Sequence, residues 1–126
     1  MYTFTLDGET PAKKNSRQML PNGKNIPGKA YNAWNTAAVL ALNVQRIKQG
    51  IRPPIACAVV VHITFTHGDY HRRDSDNAAS SILDALQNAD VLSDDNWRIV
   101  HDIYVHNRYE KGAPRCEIEI EPVTVE

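Results

Sequence analysis

Residues 55–66 read Ile-Ala-Cys-Ala-Val-Val-Val-His-Ile-Thr-Phe-Thr, the longest run of β-favouring side chains in the chain. Pro53-Pro54 shuts it off on one side and the polar turn His67-Gly68-Asp69-Tyr70 on the other. Its first half is almost unbroken apolar sequence, which predicts a central strand covered on both faces. Such a strand needs partners and a helical layer, and the flanking sequence supplies both. Tyr2, Phe4 and Leu6 alternate with Thr3 and Thr5, the pattern of a half-buried strand. Residues 30–49 carry a helical stripe of Tyr31, Trp34, Ala38, Ala41, Leu42 and Gln45, ended by Gly50 and the prolines. A second amphipathic helix spans 78–89, turning Ala78, Ile82, Leu83, Ala85, Leu86 and Ala89 inward. Residues 97–108 form another long strand, 109–114 a hairpin turn, and 115–125 a last strand. In that last strand Cys116, Ile118 and Ile120 alternate with Glu117, Glu119 and Glu121, which predicts a solvated face or an edge. The expected fold class is α+β: order β-α-β-α-β-β, one mixed sheet with two helices packed on one face. A length of 126 residues suits a single domain, 1–126.

The chemistry is concentrated where the long strand gives way to the second helix. His71-Arg72-Arg73-Asp74-Ser75-Asp76-Asn77 holds two carboxylates, and Asp94-Asp95 follows just beyond that helix. Carboxylates brought to one spot repel each other unless a cation lies between them. Hard oxygen donors without thiolates favour Mg²⁺, with Mn²⁺ as a substitute, and such ions serve chemistry on phosphate esters. Arg72 and Arg73 match phosphate oxygens in geometry and charge. A plainer reading stands beside this one. Asp and Ser at a helix start are ordinary N-caps, and Asp94-Asp95-Asn96 has the composition of a turn.

Net charge is −1, but its distribution is uneven. Before Pro54 the only acids are Asp7 and Glu9, whereas Lys13, Lys14, Arg17, Lys24 and Lys29 stud an irregular segment at 9–29. Pro11, Pro21, Gly23, Pro27 and Gly28 deny that segment regular structure throughout. Such a loop suits a phosphate backbone, the alternative being a merely solvated loop. Arg46, Lys48 and Arg52 are explained by the helix end they follow.

Other classes find little support. No apolar run is long enough to span a membrane, and the start lacks the layout of a signal peptide, so a cytoplasmic location is expected. Cys57 and Cys116 read as small buried hydrophobes in a reducing compartment. Five histidines occur without a zinc-binding spacing, although His71 is placed to touch DNA. No nucleotide-binding loop or nucleophile elbow is present. Tyr31 and Trp34, at helical spacing, belong to core or interface before they belong to base stacking.

Arg72-Arg73-Asp74-Ser75-Asp76-Asn77, Leu83-Asp84-Ala85-Leu86 and Val91-Leu92-Ser93-Asp94-Asp95 together resemble the signature of the RusA family of Holliday junction resolvases. The likeness runs from Arg72 to about Val100. It implies a small homodimeric, Mg²⁺-dependent endonuclease that resolves four-way junctions and other branched DNA by paired symmetric nicks, in recombination and repair. By the same match Asp74, Asp76 and Asp95 are catalytic metal ligands, with Asp94 beside them as a rival ligand. Arg73 and Asn77 fall at positions expected to touch DNA or orient the site, and Asp84 at a structural one. One departure is Ser80, where the family often has lysine; Lys13 or Lys14 of the basic loop is the candidate replacement. Cutting two strands symmetrically requires two sites related by a two-fold axis, hence a homodimer. Two rivals remain: a non-cleaving binder of branched or single-stranded DNA with the same fold, and a metal phosphatase for small esters, against which the long basic loop argues.

Overall fold

In the computed structural model, residues 1–12, 17–19, 21 and 25–123 are described. The predicted DNA contacts Lys13, Lys14 and Lys24 therefore lie outside the described residues. The elements, in order, are β1 (Tyr2–Asp7), β2 (Arg17–Met19), β3 (Asn25–Pro27), α1 (Lys29–Lys48), β4 (Val59–His67), α2 (Ser75–Asn88), β5 (Val100–Tyr109) and β6 (Arg115–Pro122). Apart from β2 and β3, which pair into a small separate hairpin, this is the expected β-α-β-α-β-β order.

The main sheet runs β1-β6-β4-β5. β6 is antiparallel to both β1 and β4, while β5 is parallel to β4 with Val59 opposite Val100 and Phe65 opposite Asn107. Side-chain alternation then decides the core. Phe4, Leu6, Val59, Val61, Ile63, Phe65, Cys116, Ile118 and Ile120 all project to one face and are buried. Leu42 of α1 and Ile82, Ala85 and Leu86 of α2 close over them.

Three expectations need correction, and for β6 the structure decides between the two alternatives. β4 is covered on one face only, since Val60, His62 and Thr64 are half-buried on the side that carries no helix. Its apolar first half reflects β propensity, not double burial. The turn at 109–114 is not a hairpin, because β5 and β6 flank β4 on opposite sides. The chain instead steps across the end of β4, pinned by Glu110 N–H donating to the His67 carbonyl at 3.0 Å and Gly112 N–H to the Gly68 carbonyl at 3.1 Å. β6 is consequently an interior strand, so its glutamates mark the open face and guard no edge. Finally, Cys57 is exposed; only Cys116 behaves as a buried hydrophobe, its thiol pushed up to about 12 by burial.

Helix α1 does more than cover the core. Gln45 accepts from the Thr5 N–H at 2.8 Å and donates to the Thr5 carbonyl at 2.9 Å. Gln49 does the same for Thr3, at 2.9 and 2.8 Å. Two side-chain amides thus stand in for a further strand along β1. On its other side α1 is tied to α2 by the Tyr31 hydroxyl, which donates to Asp84 Oδ2 at 3.0 Å. Burial, and then the Asp84 carboxylate, push the Tyr31 hydroxyl up to about 12. The family-matched Asp84 is therefore structural in the described chain. Among the described residues no helix is long and apolar enough to cross a membrane.

Candidate active site

α2 starts at Ser75, three residues before the run of inward alanines begins, its polar first turn made of exposed Ser75 and Asp76 and half-buried Asn77. Asp74 is the N-cap residue, yet its side chain makes no capping bond. Its carboxylate is approached by the Asn77 side-chain amide, at 3.4 Å, a marginal hydrogen bond. The capping explanation thus fails for Asp74, and Asp74 and Asp76 both face solvent at the positive end of a helix.

What holds this turn comes from elsewhere. Asn107, on β5, donates to Ser75 Oγ at 2.9 Å. Its Oδ1 lies 2.8 Å from His67 Nε2, and His67 Nδ1 lies 3.0 Å from Glu9 Oε2. Glu9 also accepts from the Gly68 N–H at 2.9 Å. A chain of contacts therefore links the root of the 9–29 segment, the end of β4, the end of β5 and the first residue of α2. Sequence spacing gave no sign of it, because 58 residues separate Glu9 from His67 and 40 separate His67 from Asn107. Arg73, expected to face DNA, is drawn into the same network. It bonds Asp69 at 2.7 Å and lies 3.4 Å from Glu9. That guanidinium pulls the Asp69 carboxyl down to about 2. Arg72 by contrast is exposed, as is Lys29 at the start of α1.

Beside Asp74 lies an open cleft of about 290 Å³, walled by Glu9, Thr10, Pro11, Ala12, Arg72, Arg73 and Ala78. Ser81 donates to the Pro11 carbonyl at 2.7 Å, fastening the start of the basic segment onto α2 one residue from Ser80. Tyr70 and Tyr109 stack at 4.1 Å beyond the other side of the turn.

The second acidic pair occupies the opposite end of the same strand pair. Asp94 Oδ1 accepts the N–H groups of Asp95 at 2.7 Å and Asn96 at 3.3 Å, which holds its carboxyl below the usual range. For Asp94 the turn reading is correct. Asp95 projects from that turn and is exposed. Just before it, Leu92 bridges to Ile55 and Ser93 N–H donates to the Ile55 carbonyl, ahead of β4. Just after it, Val100, which pairs with Val59, donates to the Asn96 carbonyl. Asp74 instead precedes Ser75, which is bonded by Asn107, the partner of Phe65 toward the other end of the two strands. All of α2 beyond Asp76, residues 77–88, lies between the two pairs, a length of roughly 18 Å. Within one chain the four carboxylates do not converge. Among the described residues no group of three or more His, Cys, Asp or Glu is placed to hold a metal ion, zinc included.

Residues 7–121 match the family described as Endodeoxyribonuclease RusA. The chain is also 28% identical over 114 residues to the crossover junction endodeoxyribonuclease RusA of Aquifex aeolicus (strain VF5), covering 89% of this chain and 85% of that protein. The match runs through the basic segment, both acidic pairs and the closing strand, and on that extent the chain belongs to the RusA family of endodeoxyribonucleases.

Proposed function

We propose that this protein is a homodimeric, Mg²⁺-dependent endodeoxyribonuclease that resolves four-way DNA junctions by paired symmetric nicks, and that each of its two active sites is built from both chains. The observation that carries this reading is the placement of the acidic pairs at opposite ends of one parallel strand pair. A two-fold axis that sets the strands of two chains antiparallel brings Asp74 and Asp76 of one against Asp95 of the other, twice over. The donor set fits a hard divalent ion: three exposed carboxylates, with no capping duty on Asp74. Such an ion supplies charge neutralisation and an activated water at the scissile phosphate, with Mn²⁺ able to stand in.

The remaining roles fall to side chains. Asp94 shapes the turn that presents Asp95. Arg72, exposed beside the cleft, is free to meet a phosphate, and Asn77 is placed to orient Asp74. Arg73 acts through Asp69 and Glu9 to fix the approach to the site. Lys13, Lys14, Arg17, Lys24 and Lys29 line the proposed path of the DNA backbone. The anchoring of Pro11 by Ser81 supports the reading that Lys13 or Lys14 replaces the cation absent at Ser80.

The test is mixed-chain complementation on a synthetic four-way junction in Mg²⁺. Asp76→Asn and Asp95→Asn chains are each expected to be inactive. Exchanged together, they form mixed dimers holding one intact site and one doubly damaged site, so nicking of a single strand returns. Mixed dimers that bind the junction but stay inactive would show that each site is built within one chain. A wild-type protein that binds junctions without nicking in Mg²⁺ or Mn²⁺ would instead mark a binding protein of the same fold.

A further inference from the structure

We infer that the exposed ring of Tyr70, backed by Tyr109, is a stacking site for one unpaired nucleobase of the DNA strand that lies across the acidic turn. This rests on the reading proposed above, action on branched DNA, and names the part of that substrate the surface beside the site takes.

Tyr70 closes the turn after β4, and Tyr109 is the last residue of β5. The two segments are laced together by Glu110 N–H on the His67 carbonyl and Gly112 N–H on the Gly68 carbonyl. On that base the two rings stack with centroids 4.1 Å apart and planes 27° apart. Tyr70 nonetheless stays 82% exposed, more than any other large apolar or aromatic side chain among the described residues. A ring that packed the turn would be covered. Tyr70 is fixed by Tyr109 on one face and open to water on the other, the geometry on which a base stacks. Tyr31 and Trp34 have no such face: Tyr31 is buried, its hydroxyl bound to Asp84, and Trp34 packs against the core.

The surroundings specify the ligand. The rings wall an open cavity of about 290 Å³ with His67, Asp69, His71, Asn107 and Arg108 as its other sides. A base inside a duplex is stacked on both faces and cannot reach a side wall, whereas a base at a branch point is free to leave the stack. Exposed His71 and Arg108 border the cavity, suited to the phosphate that travels with the base. Its one carboxylate, Asp69, is occupied by Arg73 at 2.7 Å and by the His71 N–H at 3.0 Å, so its charge is offset. Asn107 belongs both to this cavity and to the acidic turn, since it donates to Ser75 Oγ beside Asp74. A base seated on Tyr70 thus holds its strand against Asp74 and Asp76. Stacking is tolerant of base identity, so Tyr70 selects a position in the junction and not a sequence.

The experiment measures junction affinity without divalent ion, so that binding is read apart from nicking. One strand of a synthetic four-way junction carries a single abasic residue, moved in turn through the positions that flank the crossover. Tyr70→Ala is expected to bind the intact junction about 10-fold more weakly than wild type, with circular dichroism and salt dependence unchanged. Tyr70→Phe, which keeps the ring, is expected to rescue that loss. At one abasic position wild type is expected to fall to the level of Tyr70→Ala, and there the substitution costs nothing more. Tyr70→Ala binding the intact junction as tightly as wild type, or losing the same factor at every abasic position, would overturn the inference while leaving the nuclease reading in place. A wild type that binds junctions no better than duplex would overturn that reading and this inference with it.

Discussion

Strand β1 offers its outer backbone groups to Gln45 and Gln49, while β5 offers its own to solvent. Both strands are outer strands of one sheet, but β1 alternates buried and exposed positions whereas β5 is exposed along nearly its whole length. The difference lies in what the neighbouring helix can reach. α1 packs against β1 with its last two turns alongside Thr3 and Thr5, and two glutamine side chains are long enough to bridge the gap. α2 covers the inner face beside β5 and is hydrogen-bonded to that strand where Ser75 meets Asn107. A bare, long, partly apolar edge is a liability in a protein meant to stay alone. In this protein the two acidic pairs lie toward the two ends of that very strand.

Removing the seal should have the largest effect. Gln45→Ala combined with Gln49→Ala deletes the four hydrogen bonds to β1, each worth about 1 kcal/mol net, so urea denaturation should show a loss of roughly 2–4 kcal/mol. The unsealed β1 should also drive assembly past the dimer, visible as higher species in light scattering. An unchanged oligomer distribution would mean that the glutamines only hold α1 in place.

At the other edge the expected change is in activity. Asn107→Ala removes the contact that holds Ser75, and with it the turn bearing Asp74 and Asp76. Junction nicking should fall by about 10–100-fold, the usual effect of losing a group that orients a metal ligand. Thermal stability and junction affinity without metal should hardly move. Equal losses in stability and nicking would reduce Asn107 to a structural contact.

A smaller effect tests whether α1 is held firmly enough to act as a seal. The Tyr31 hydroxyl is raised from 10.0 to about 12, so its neutral form is favoured in the folded chain. Its contribution is full below pH 10 and is lost as pH rises through 12. Tyr31→Phe should cost about 1 kcal/mol at neutral pH and should flatten the decline in stability between those limits. Cys116 shifts in the same direction and remains in both proteins, so the comparison is between the two slopes.

The elements themselves were legible in the sequence. Alternation in 1–6 and 115–121, the β-branched run before Thr66 and the alanine-rich stripes each report a local period, and local periods survive folding. Strand order was not legible, since five residues between β5 and β6 can turn back on themselves or step over a neighbour with equal ease. Gln45 looked like part of a buried stripe because its spacing is right, and spacing does not reveal that its amide pairs with Thr5. The acidic motif was found by residue type and local context. Its partition was not, because Asp76 and Asp94 are close along the chain only until α2 is drawn out between them. Glu9, His67 and Asn107 went unnoticed for the opposite reason: they meet only after the sheet has formed.

The parallel register of β4 and β5 has one more consequence, for when the protein acts. On the two-chain reading proposed above, the site does not exist in a newly made single chain. That reading expects nicking at concentrations below the dimer dissociation constant to rise with the square of chain concentration and to lag after dilution.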